Sequence, residues 1–113
     1  MSRLTLNLGE GTVIFPLSLE AGMALKSAIA ELMRAFQGAA SAGGERVKAA
    51  PKPNLEFQHP GEVFLECFCN PNIWPSPFAA KVLITVRDER IRLTTEAELT
   101  QLNEDLQQFL EQA

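Results

Sequence analysis

The sequence predicts an α+β fold: an antiparallel sheet of about five to six strands with two amphipathic helices packed on one face, in the order ββα-β(β)-ββα. Three observations carry this. Both ends of the chain hold two short alternating apolar runs around a polar break. Each such pair is followed by an apolar stripe at helical spacing. Between them lie further strand-like runs rich in Phe, Leu and Cys, separated by Pro-Gly and a proline-rich segment.

The first pair is Leu4, Leu6 and Leu8, then Val13, Phe15 and Leu17, around Gly9-Glu10-Gly11. Alternation at period two is the mark of half-buried strands, and the glycine-containing break makes a hairpin of them. Pro16 lacks a backbone donor, so the second strand ends there or lies at an edge. Ser18 is an N-cap candidate. Leu25, Ala28, Ile29, Leu32, Ala35 and Phe36 fall on one stripe, which predicts a helix over 19–37 with Gly38 as its stop.

Residues 38–54, GAASAGGERVKAAPKPN, have no buried-face periodicity and read as a flexible linker inside a single domain spanning 1–113. Strands are expected at Leu55–Gln58 and Val63–Cys69, with either a type II turn at Pro60-Gly61 or a bulge there in one long strand, and with Phe57, Phe64 and Phe68 in the core. Val82, Ile84 and Val86 mark a strand over Lys81–Arg87. The charged tip Arg87-Asp88-Glu89-Arg90 turns it back into a strand beginning at Ile91 and Leu93. Thr95 and Glu98 fit a capping box for a last helix whose stripe is Leu99, Leu102, Leu106, Phe109, Leu110 and Ala113. The matching order at the two ends raises the reading of an internal duplication. The same physics writes any two amphipathic ββα units alike.

The C-terminal hairpin with its closing helix is similar in element order alone to the COMM domain, an interaction module, over at most the last 50 residues. The Trp that opens the first strand of that domain has no counterpart at Leu55 or Val63, and no residue is carried over.

Composition excludes several function classes. The 113 residues are 46% hydrophobic and 21% charged, with a net charge of −4. A backbone-tracking nucleic-acid binder needs a surplus of Lys and Arg, and so does attraction to anionic lipid. No run approaches the length of a membrane span, and Met1–Leu8 alternates instead of forming a signal peptide's apolar stretch. With only Cys67 and Cys69, too few for a disulfide framework, a cytoplasmic location is expected.

Chemistry-bearing constellations are thin. Cys67 and Cys69 face the same side of a strand, about 7 Å apart, and a zinc site needs two further ligands that the single His59 cannot complete. Gly9-Glu10-Gly11 and Gly43-Gly44 lack the context of phosphate loops. Glu66 and Cys67 are the internal candidates for a pocket between sheet and helices. From residue 95 onward the acidic side chains are Glu96, Glu98, Glu104, Asp105 and Glu111, with no Lys or Arg, which reads as a solvated helix face.

These features point to no catalytic residue, no metal ligands and no cofactor. The leading reading is a small non-enzymatic protein-interaction module, an adaptor, assembly or regulatory factor with a protein partner. Its contact surface is assigned to Asn72, Ile73, Trp74, Pro75 and Phe78, where prolines stiffen an aromatic loop. The competing readings are a small-molecule binder or enzyme, and a self-associating protein. The latter is a homodimer formed by twin pairing of the Lys81–Arg87 strand at an open edge.

Overall fold

Leu4 and Leu6 are buried while Arg3, Thr5 and Asn7 are exposed, so the N-terminal alternation becomes strand β1, Arg3–Asn7. It pairs antiparallel with β2, Thr12–Pro16, in the register Leu4 to Phe15 and Leu6 to Val13. A computed structural model describes residues 2–40 and 53–112, with the backbone alone at 37–40. Helix α1, Leu19–Ala40, follows, its first turn capped by Ser18, whose Oγ accepts the Ala21 N–H at 3.1 Å. The helix runs through Gly38 instead of stopping there. Of the linker expected over 38–54, residues 38–40 are helical and 41–52 lie outside the described residues.

Strands β3 (Leu55–His59), β4 (Phe64–Cys69), β5 (Lys81–Arg87) and β6 (Arg92–Glu98) form one antiparallel sheet in chain order, and α2 (Leu99–Gln112) closes the chain. The fold is α+β with six strands and two helices, in the order ββα-ββ-ββα.

The strands divide into sheets of two and four rather than one. Side chains explain the division. The Asn7 N–H, which a neighbouring strand could have taken, donates to Asp105 Oδ2 on α2 at 2.8 Å. Pro16 has no N–H to offer on β2. The first hairpin therefore packs against α2, and α1 packs on α2 and β3. Leu4, Leu6, Leu25, Ile29, Leu65, Ile84, Leu99, Leu102 and Leu106 belong to one core shared by both helices, the hairpin and the inner sheet face.

Four local expectations are corrected. Thr95 and Glu98 cap nothing: both lie in β6, opposite Ile84 and Lys81. Pairing along all of β6 satisfies more backbone groups than a two-bond cap, and Leu99 N–H finds the Ala80 carbonyl at 3.0 Å instead. Gly61 does not have the positive φ of a type II turn. Phe64 and Phe68 alternate with the buried Leu65, Cys67 and Cys69, so they face outward rather than into the core. Finally, β5 is an interior strand paired with both β4 and β6, so twin pairing along it is closed.

Candidate partner-binding surface

The segment between β4 and β5 is built around its prolines. Asn70 Oδ1 accepts the Asn72 N–H at 3.0 Å and caps a single 3-10 turn, Pro71–Ile73. Pro71 occupies the first position of that turn, where its missing N–H costs no bond. It is buried. One turn of 3-10 helix is thus compatible with a segment whose prolines block longer regular structure. Ala79 N–H donates to the Ser76 carbonyl at 3.2 Å, and Ala80 is buried where the chain re-enters the sheet.

Between these anchors Trp74 is half-buried and packs against the core. Asn72 and Pro75 are exposed. Ile73 is 66% and Phe78 82% exposed, the latter the highest value among the large apolar side chains described. The five residues singled out from sequence therefore divide. Trp74 braces the segment, and Ile73 and Phe78 project from it.

A second surface escaped sequence reasoning. The outer face of the four-stranded sheet carries Glu56 and Gln58 from β3, and Phe64, Glu66 and Phe68 from β4. Lys81, Leu83, Thr85 and Arg87 come from β5, and Arg92, Thr94, Glu96 and Glu98 from β6. Phe68 is 38% and Leu83 44% exposed. Arg87 lies over the Phe64 ring at 4.3 Å from its centroid, a cation–π contact. Thr85, at the middle of this face, is only 6% exposed because its neighbours crowd over it. The signal was present in FLECFC: a strand that is apolar at both parities has two covered faces or one face without a cover.

The pocket pair does not assemble. Glu66 lies on the outer face, where it accepts from Gln58 Nε2 at 2.6 Å, while Cys67 points inward. Burial pushes the Cys67 thiol up to about 12, with the nearby Glu66 charge adding to the shift, and burial raises Cys69 as well. Both are free thiols held protonated at neutral pH, a poor state for a nucleophile. His59 is half-buried at the end of β3, with its ring over Gly61.

Asp105 does not belong to the solvated acidic face. It is 4% exposed and accepts three bonds, from Asn7 N at 2.8 Å, Asn7 Nδ2 at 2.8 Å and Gln101 Nε2 at 3.0 Å. Its position three residues after Leu102 and one before Leu106 places it within the buried stripe. Among the described residues, no three His, Cys, Asp or Glu side chains gather into a set that could hold a metal ion. Among the same residues, no helix is long and apolar enough to cross a membrane.

Comparison with known protein families, with curated proteins and with solved structures finds no match.

Proposed function

We propose that this chain is a non-enzymatic protein-interaction module whose contact surface is the segment 72–78. One observation carries the reading: Ile73 and Phe78 are held in solvent on a segment pinned by buried Pro71, half-buried Trp74 and buried Ala80. A pinned loop loses little conformational entropy when a partner covers it, so its exposed apolar area is available to drive association. The partner that fits is a protein offering an apolar recess. Two buried, unpaired thiols suit a reducing compartment, which supports a cytoplasmic location.

The test is the double variant Ile73→Ser, Phe78→Ser. Neither side chain is buried, so the melting temperature stays within a degree or two of the parent, while capture of a partner from host extract by the immobilised protein is lost. Equal capture by parent and variant refutes the assignment. Trp74→Ala is the contrasting control: it removes a core contact and lowers the melting temperature, which the double variant does not.

A further inference from the structure

The outer face of the four-stranded sheet has a charge pattern that complements itself. At the β5–β6 turn end the cross-strand pair is Arg87 and Arg92, two positive charges side by side. Toward the opposite end lie Glu56, Glu96 and Glu98, with Lys81 beside Glu98. The row between them is Glu66, Thr85 and Thr94, and the apolar residues Phe64, Phe68 and Leu83 flank that row on either side. Like charges at neighbouring positions on one strand pair repel. Among the described residues the single ion pair is Glu31 to Arg34 on α1, so no charge of the sheet face is ion-paired with another described residue.

We infer that this face docks a second copy of the chain, sheet against sheet, about a two-fold axis that crosses the strands at the row of Glu66, Thr85 and Thr94. Two sheets stacked face to face are exchanged only by an axis lying in the plane between them. An axis along the strands would set each basic end on its twin. An axis across the strands reverses them, and it brings the basic end of one copy over the acidic end of the other.

That operation has specific consequences. It sets Arg92 of each copy over Glu96 of the other, on the same strand. It sets Phe64 over Phe68, and Arg87 over Leu83, whose aliphatic surfaces can pack. It also brings Glu66 against its twin, a like-charge contact that holds the affinity down. The face spans four strands at about 4.8 Å and six or seven residues at about 3.4 Å, roughly 400 Å² of plan area per copy. That is below the usual size of a stable interface, so the dimer is a weak one that forms only at high protein concentration.

Arg92 and Glu96 are exposed, four residues apart on one strand and about 13 Å from each other, so neither reversal breaks an ion pair among the described residues. The experiment is sedimentation equilibrium up to about 1 mM of the parent, of Arg92→Glu, of Glu96→Arg, and of the two variants mixed. The parent dimerises. Each variant alone opposes like charges twice per dimer and weakens association at least tenfold. The equimolar mixture restores it as a heterodimer, because Glu at 92 of one chain then meets Arg at 96 of the other while the second contact stays native. A parent that is monomeric at 1 mM overturns the proposal. So does a dimer indifferent to either reversal, or a mixture that associates no better than its components.

Discussion

Gly22 lies where α1 meets α2, and replacing it by alanine sets two effects of opposite sign against each other. A helical Gly→Ala change gains at most about 1 kcal/mol of propensity. Against this, a Cβ at residue 22 stands 2.5 Å from Phe109 Cε2, 2.9 Å from Cδ2 and 3.5 Å from a Leu110 methyl. Carbon pairs are most comfortable at about 3.5–4.0 Å, so the Phe109 ring must retreat by about 1 Å. The ring is buried in the core and cannot retreat freely. Overpacking of this kind costs about 1–3 kcal/mol. The net expectation is a loss of about 1 kcal/mol, a fall of roughly 4–8 °C in melting temperature for a chain of this size. The assay is urea unfolding of Gly22→Ala, Phe109→Leu and the double variant. Leucine lacks Cε2, the closer of the two colliding atoms, and its Cδ methyls can turn aside, so the double variant is more stable than the sum of the singles by more than the roughly 0.5 kcal/mol expected of independent sites. A more stable Gly22→Ala, or strict additivity, refutes the reasoning.

Three further outcomes are expected. Leu106→Ala, at a fully buried position of α2, costs about 2–5 kcal/mol in urea melts, and a loss below about 0.5 kcal/mol would show that the stripe is not core. Asp105→Ala removes three accepted bonds to a charged group and costs about 2–3 kcal/mol. Asp105→Asn recovers part of that loss in the same melts, since its amide oxygen can keep the Asn7 N–H while neighbouring amides turn. Thermal melts should also show an alkaline effect at Cys67, whose thiol rises from an ordinary 9.0 to about 12 in the folded chain. A raised folded pKa favours the unfolded state once pH passes the unfolded value, so this contribution to stability is whole below pH 9 and is lost on the way to 12. Cys67→Ala abolishes that part of the slope, and identical slopes in the two proteins would contradict it.

The α+β class and the order of elements were legible because the stripes are written in plain periodicity. Leu4 to Leu6, Val82 to Val86 and Leu99 to Phe109 alternate or recur as their elements require. The division into two sheets was not legible, because it turns on a contact between residues 7 and 105 that no local window contains. The capping signature at Thr95 and Glu98 misled for a related reason. Local capping competes with pairing to β5, and the partner strand is invisible to a four-residue motif. At the candidate surface, the prolines and aromatics of 71–78 identified the segment. Which side chain braces it and which projects depends on the packing of Trp74 against residues distant in sequence. Phe64 and Phe68 were assigned to the core on hydrophobicity alone, although their parity opposes that of Cys67 and Cys69.

The bond between Asn7 and Asp105 also bears on how the chain is made. Synthesis delivers the hairpin of β1 and β2 well before the helix that covers it, since α1 and the four-stranded sheet lie between them in the chain. Until α2 is free, Leu4 and Leu6 lack a main part of their cover, and the Asn7 amide has only water to bond. A nascent chain is therefore open along this hairpin until α2 has emerged, and it closes in that one event. A stop codon before α2 would leave the protein in that open condition, available to chaperones and proteases at this hairpin rather than at its cut end.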